Sequence, residues 1–289
     1  MFGFFNVNKP AGCTSRDVVT RVQRALRCKI GHAGTLDPLA TGVLVLAVGK
    51  ATRLIQYVQG LKKSYQATFQ LGRSSDTEDV EGNVEVELNA RAPSASELNA
   101  TIKEFSGEIE QVPPRYSALK VNGKRAYDLA RRGASFDLAS RPVTIYDLAV
   151  SRFQYPELDL YITCSSGTYV RSLGRDIAIA CGTQAVMSQL VRTAIGDYRL
   201  SDSVDPEQIN SETAAHFLQS PLLALDHLPR VQLDDENVSK LQMGQCISAQ
   251  DCQDAAEVLA LDSNGELIGI VRPRDGNQLQ PVRNFSNGK

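Results

Sequence analysis

The sequence predicts a mixed α+β or α/β protein with a small β-rich unit at its C-terminal end. Three observations carry that reading. Segments that alternate apolar and polar residues, such as YQATFQL at 65–71, are interleaved with segments of helical period, such as Val18, Val22 and Leu26. No internal repeat is visible. Beyond the stretch from Pro221 to Pro229 helix signals become sparse, and Asn264-Gly265 stands between VLALD and ELIGIV, a strong hairpin signal. The 289 residues accommodate one domain over 1–230 and a second over 231–289.

Each element follows from local chemistry. GFFNV reads as a short strand ending in the turn NKPAGC, after which Thr14 or Ser15 caps a helix running to about Cys28. A glycine-rich loop, GHAGTLDPLATG at 31–42, precedes VLVLAV at 43–48, the most apolar run and a buried strand. A short helix is expected around 51–58, then strands at 65–71 and, by the same alternation, at 84–88 (VEVEL). Ser94 and Glu97 form a capping box ahead of Leu98, Ile102 and Phe105. The segment about 113–142 mixes prolines with Lys/Arg and reads as an exposed basic excursion with a short helix near 124–132. Strands are expected at 143–153 and 158–164. A loop then feeds a helix with Val170, Leu173 and Ile177 inward, stopped by Gly182.

Composition excludes several classes. With 42% hydrophobic and 22% charged residues the chain reads as soluble and globular. It has no apolar run near the roughly 20 residues of a membrane helix and no signal-peptide pattern at its start, which predicts a cytoplasmic protein without membrane contact. The six cysteines show no CxxC pair, and with three separated histidines no metal site is expected. A P-loop fails because Gly42 precedes Gly49-Lys50 by the wrong spacing and Ala51 follows the lysine.

Charge is segregated. Residues 1–75 carry 11 Lys/Arg against 2 Asp/Glu, residues 76–112 carry 2 against 10, residues 113–199 carry 12 against 7, and residues 200–289 carry 6 against 14. Nucleic acid is a fitting partner if the two basic stretches share a face. Otherwise the blocks are solvated surfaces that neutralise one another.

One of the two acids in the first 75 residues is Asp37, inside the glycine-rich loop. Followed by Pro38, it fits a turn in which its carboxylate accepts main-chain hydrogen bonds. It also fits a site: Gly31 and Gly34 leave room for a bulky approach, and the surrounding positive field should keep an exposed carboxylate ionised. Such a group serves as nucleophile, base or ligand.

GHAGTLDPLATGVLVLAVGKATRL closely resembles the signature of the TruB family of tRNA pseudouridine synthases. The resemblance extends in order through VNKPAGCTSRDVV, KKSYQATFQLG, SDTEDVEG, QVPPRYSALKVNGKRAYDLARRG, CSSGTYVRSLGRDI and QLVRTAIGDYRL, across roughly 5–200. It implies an α+β pseudouridine synthase fold with a mixed central β-sheet flanked by helices, and a small mostly-β, PUA-like RNA-binding domain at the C-terminus. It implies isomerisation of the uridine at position 55 in the T-loop of tRNA, without cofactor or metal, by a monomer adequate for one T-arm stem-loop. Asp37 falls at the family's catalytic aspartate, Tyr65 at its active-site tyrosine and Arg171 at the arginine that pairs with the aspartate. His32, Tyr169 and Leu190 fall at positions that contact the nucleotide or shape its pocket, and Asp79 at a further RNA-contacting acid.

These residue types suit the chemistry. A stacked uridine must be extruded at a cost of a few kcal/mol, and His32 would fill the vacated space or stack on neighbouring bases. Tyr65 would stack on the uracil, and the Arg171 fork would hold the Asp37 carboxylate in its charged form. Phosphate contacts are expected from Lys50, Arg53, Lys62 and Lys63, and from Arg115, Lys120, Lys124, Arg125, Arg131 and Arg132 in the basic excursion. Two other classes compete: an RNA-binding module without chemistry, and an aspartate-nucleophile hydrolase of small molecules. The second lacks a second carboxylate in the Asp37 motif and a use for the basic excursion.

Overall fold

The structure, a computed structural model, describes residues 1–117, 119–121, 123–134, 136–248, 255–274 and 277–285; the side chains at 120, 124 and 125 lie outside the described part. A nine-stranded mixed sheet forms its centre. Its strands are β1 (Gly3–Lys9), β2 (Ile30–His32), β3 (Thr41–Val48), β4 (Lys63–Leu71), β7 (Gly107–Gln111), β10 (Arg141–Gln154), β11 (Glu157–Cys164), β12 (Ala185–Ile195) and β13 (Tyr198–Arg199). The order runs β1-β3-β12-β4-β11-β10-β7, with β2 added to β3 and β13 to β12. β3 is apolar throughout because both its faces are covered. β4 alternates as its sequence demands, with Tyr65, Ala67, Phe69 and Leu71 facing the core.

Helix α1 (Ser15–Leu26) starts at a capping box between Thr14 and Asp17 and buries Val18, Val19 and Val22 against β2 and β3. α2 (Ile55–Gly60) follows a 3-10 turn at Gly49–Leu54. α3 (Ala95–Glu104) starts at the Ser94–Glu97 box, and the short α4 (Ala126–Arg131) lies in the basic excursion beside the paired strands β8 (Lys120–Val121) and β9 (Lys124–Arg125). α5 (Val170–Ala180) packs on β4 with no room to spare. A Cβ on Gly174 would lie 1.9 Å from Cε1 of Phe69.

The small second sheet follows the order β14 (Arg230–Gln232), β16 (Val258–Leu261), β17 (Leu267–Arg274), β18 (Gln278–Asn284) and β15 (Ile247–Ser248). β16 and β17 form the expected hairpin around Asn264-Gly265. The two sheets share one apolar cluster, in which Phe4, Val45, Leu54 and Tyr198 meet Leu259, Ile270 and Phe285. Tyr57 donates to Glu257 Oε2 at 2.6 Å across the same boundary.

Three sequence expectations change. The strand foreseen at 84–88 shrinks to β6 (Glu85–Val86), paired with β5 (Arg73–Ser74), and Leu88 is 94% exposed. Its alternation has no core to cover. β12, a central strand, was not foreseen, because its buried Arg192 and bulged register interrupt the period-two pattern. The C-terminal unit also holds α7 (Asp235–Gln242), started by Asp234 accepting from the Asn237 N–H at 2.8 Å; a further single helical turn lies at α6 (Ala214–Phe217). No helix among the described residues is long and apolar enough to cross a membrane.

Candidate active site

The site forms where the central sheet splits. β12 pairs with β3 in parallel only at Val191–Thr41 and Arg192–Gly42, while β2 takes the same edge of β3 at the other end. Gly42, at φ +101°, allows this crossing, since a Cβ there would lie 2.2 Å from the Arg192 carbonyl oxygen. The loop 33–40 emerges from the split. Arg192, 1% exposed, occupies the gap and donates from Nε to Val43 O at 2.7 Å and from Nη2 to Gly34 O at 3.0 Å. Lys9, fully buried, donates to Ala40 O at 2.6 Å and Pro38 O at 3.2 Å. Ser15 Oγ accepts from Leu36 N at 2.9 Å. The loop is thereby fixed from three elements before any substrate arrives.

Asp37 sits at the turn of this loop. The turn itself is closed by the main chain, Ala40 N to Asp37 O at 3.1 Å, which leaves the carboxylate to face Arg171. Arg171 Nε stands 3.1 Å from Oδ2, and Nη2 donates to Oδ1 at 3.3 Å, a two-point fork. The same guanidinium donates to Thr77 O at 2.7 Å and Tyr116 O at 3.0 Å and reaches Asp79 Oδ2 at 3.3 Å. Arg171 is buried, whereas a third of the Asp37 side chain remains exposed. The pair therefore opens to solvent on the carboxylate side.

Asp79 is buried and held by its own segment, accepting from Thr77 Oγ1 at 2.6 Å and Glu81 N at 3.1 Å. That segment adds a bridge to β12, with Met187 N donating to Glu78 O and Val80 N donating to Met187 O. Glu78 takes a left-handed backbone at φ 64°, which is costly for a non-glycine residue. Its carboxylate accepts from Ser172 Oγ at 2.9 Å and pairs with Arg175, so it clamps the segment onto α5.

Besides the positive field, burial and a second acid act on Asp37. Burial raises its pKa, the neighbouring Asp79 raises it further, and Arg171 opposes both without cancelling them. Arg171 is the largest of the contributions that favour the charged form. The glycines also have an internal reason: a Cβ on Gly31 would meet Ile55 Cδ1 at 2.7 Å.

The other expected residues lie on β4 and β12, at the end of β2 that leads into the Asp37 loop, and immediately before α5, which carries Arg171. Tyr65 is buried in one cluster with Leu36, Val170 and Leu190, and burial raises its pKa against the charge of Arg192. Leu190 stands beside it on β12, opposite Ala67 of β4. Tyr169 precedes α5, and the Gln111 side-chain amide holds both its N–H, at 2.8 Å, and its C=O, at 3.1 Å. Arg141 covers its ring at 4.8 Å. His32 lies half-buried at the end of β2 with Nδ1 unpartnered, and burial, then Arg192, lower its pKa, which disfavours the charged imidazolium.

The expected phosphate contacts divide. Lys63 is buried and donates to Gln59 O at 2.7 Å and Leu61 O at 2.8 Å, with its pKa lowered to about 8 by burial. It closes the end of α2 instead of facing solvent. Lys50 donates to Phe285 O at 3.1 Å and Arg53 to Asn284 O at 2.7 Å, which ties both to the second sheet. Lys62 is exposed over the Tyr146 ring at 4.1 Å. Arg115 and Arg131 are exposed beside the Phe136 and Tyr127 rings, and Arg132 is exposed as well. The side chains of Lys120, Lys124 and Arg125 lie outside the described residues. Among those described, no His, Cys, Asp and Glu cluster is placed to hold a metal ion.

Lys9, Arg192, Gln111 and Glu78 shape the site but were not singled out from the sequence. An arginine inside an apolar strand was the one signal available for Arg192. Arg192→Lys keeps the charge and loses the fork, so calorimetry should show a loss of about 1–3 kcal/mol of stability. An unchanged melting temperature would contradict this bracing role.

The sequence matches make this chain a pseudouridine synthase, an isomerase acting on RNA. The chain belongs to the TruB family: the model of the TruB family pseudouridylate synthase N-terminal domain matches residues 21–170, and that of the pseudouridine synthase II TruB C-terminal region matches 229–285. It is 43% identical to a tRNA pseudouridine synthase B of Synechocystis sp. over 97% of this chain and 98% of that protein. It is 36% identical to one from Rhodopirellula baltica over 98% and 94% respectively. In shape it is similar to a chain in the crystal structure of a Cbf5-Nop10-Gar1 complex, with a TM-score of 0.73, 25% identity, and coverage of 99% of this chain and 85% of that one.

Proposed function

We propose that this chain isomerises the uridine at position 55 in the T-loop of tRNA to pseudouridine, with Asp37 acting on a uridine turned out of its stack. The observation that carries this reading is the Arg171 fork at 3.1 and 3.3 Å on a carboxylate that stays partly open to solvent. Tyr65 provides the aromatic wall beside it, Leu190 the apolar one, and His32 the ring at the edge where neighbouring bases would stack. Tyr169 and Asp79 hold the surroundings of Arg171.

The bond from the anomeric carbon to uracil N1 breaks, the base rotates, a bond to ring carbon 5 forms, and the proton on that carbon is released while N1 gains one. Addition of Asp37 to the anomeric carbon, its addition to the ring, and its removal of a sugar proton all begin from the same ionised oxygen. No electron acceptor or metal enters this balance. All the named groups belong to one chain, so a monomer suffices. The segment 231–289 would act as a small RNA-binding domain beside a catalytic domain over 1–230.

A second carboxylate, Asp79, does lie close to Asp37, as glycosidase-type hydrolysis requires. Arg171 stands between the two and Asp79 is buried, which leaves no water-activating geometry for that alternative. Incubation with a T-arm stem-loop, followed by digestion to nucleosides, should give pseudouridine at the target position, with the yield unchanged by a chelator. Recovery of unmodified uridine alone would refute the proposal.

A further inference from the structure

α1 carries a run of basic residues that the account so far leaves unused. Arg16 and Arg24 lie on the helix face turned away from Val18, Val19 and Val22, Arg27 forms its C-cap and Lys29 follows; all four are exposed. Among the described residues none of the four has an acidic partner. Arg21, three residues before Arg24 on the exposed side, is paired with Glu207, and the Asp17 carboxylate is taken up by Thr14 in the capping box. Arg21 is therefore neutralised, while Arg16, Arg24, Arg27 and Lys29 leave the exposed side of the helix positive.

That positive flank starts at the site. Ser15, the residue before Arg16, bonds both the N–H and the C=O of Leu36, next to Asp37. The field of Arg16 reaches His32. From Arg16 to Arg27 the stripe runs along the helix for about 16 Å. The excursion, on the Arg171 side of the site, is different in kind. There Tyr116 O receives Arg171, and the cations of the excursion stand beside rings, Arg115 by Phe136 and Arg131 by Tyr127. Cations interleaved with aromatics suit unpaired, splayed bases. Cations on a helix without exposed aromatics suit a regular phosphate backbone, which carries charge but no accessible base edges.

We infer that Arg16, Arg24, Arg27 and Lys29 hold the phosphate backbone of the base-paired stem adjoining the loop whose uridine enters the cleft. The inference rests on the reading that the substrate is an RNA stem-loop. It assigns the duplex to α1 and the loop to the side of the excursion.

The test is fluorescence anisotropy of the full chain across a potassium chloride series, with two RNAs: a T-arm stem-loop, and the same loop flanked by strands that cannot pair. The variant is the triple substitution R16Q/R24Q/R27Q, with R16K/R24K/R27K as the charge-retaining partner and thermal melts of both. On the stem-loop the Gln variant should lower the slope of log affinity against log salt by about 2–3, near 0.9 for each lost phosphate contact in a duplex. Affinity there should fall roughly tenfold or more at moderate salt, while the Lys variant keeps the wild-type slope. On the unpaired RNA the three proteins should bind alike. An unchanged slope on the stem-loop, or equal weakening on both RNAs, overturns the assignment. Failure of the wild type to form pseudouridine would instead remove the functional reading, and the salt slopes would still judge the stripe.

Discussion

Asp37→Asn should abolish turnover while leaving RNA affinity nearly intact. The amide keeps the size of the carboxylate and one acceptor for Arg171, and Asp79, Thr77 O and Tyr116 O continue to hold the guanidinium. Neither the fold nor the cleft has reason to change. What disappears is the negative oxygen, and loss of a group that attacks or abstracts in the transition state costs roughly 10⁴-fold or more in rate. Single-turnover assays should show no pseudouridine on the time scale of many wild-type turnovers. Anisotropy should give a dissociation constant within about threefold of wild type, since phosphate contacts dominate affinity. Parallel loss of binding and rate would make Asp37 a scaffold residue.

Gly174→Ala should be among the most destabilising single changes in the protein. In a helix interior alanine is ordinarily favoured over glycine by about 1 kcal/mol. Here the added carbon would lie 1.9, 2.3 and 2.4 Å from Cε1, Cζ and Cδ1 of Phe69, far inside the roughly 3.5–4 Å of a carbon–carbon contact. Phe69 is fully buried on a central strand, between β11 and β12. The helix must therefore retreat, taking Arg171 away from Asp37. Overpacking of this kind costs about 1–3 kcal/mol or more, or a drop of roughly 3–5 °C in melting temperature for a net loss of about 2–3 kcal/mol. Activity should fall even where the protein remains folded. Phe69→Leu in the same chain should recover part of both losses by making room. A Gly174→Ala protein more stable than wild type would show that the helix does not sit this close.

How much of this was legible in the sequence depends on the kind of information needed. α1, α3 and α5 follow from caps and from a 3.6-residue period, and β3 from its unbroken apolar run, because each is encoded within a dozen neighbours. The association of Asp37, Tyr65 and Arg171 came through family resemblance, since nothing local joins residues 134 positions apart. β12 stayed hidden because the residue at its centre, Arg192, satisfies carbonyls of a distant loop and so breaks the local pattern. Lys62 and Lys63 look equivalent in a charge count. Strand parity separates them, since Lys63 shares the inward side with Tyr65 and Ala67. Lys50 and Arg53 could not be told from RNA-binding cations without knowing that the second sheet docks beside them. The charge count gave the sign of the field at Asp37 but not the desolvation that opposes it.

The central claim is that Arg171 keeps a desolvated Asp37 ionised, and the pH dependence of kcat tests it most directly. With Asp37 acting as an anion, as proposed, the rate should fall as pH drops through its pKa, which burial and Asp79 raise and Arg171 lowers. Removing the positive charge with Arg171→Met leaves burial unopposed, so the acid limb should move to higher pH. Arg171→Lys restores charge without the fork, so its limb should lie closer to that of wild type while the plateau stays reduced. Provided both variants fold, that ordering of limbs is what the account predicts. An acid limb at the same pH in wild type and Arg171→Met would contradict it.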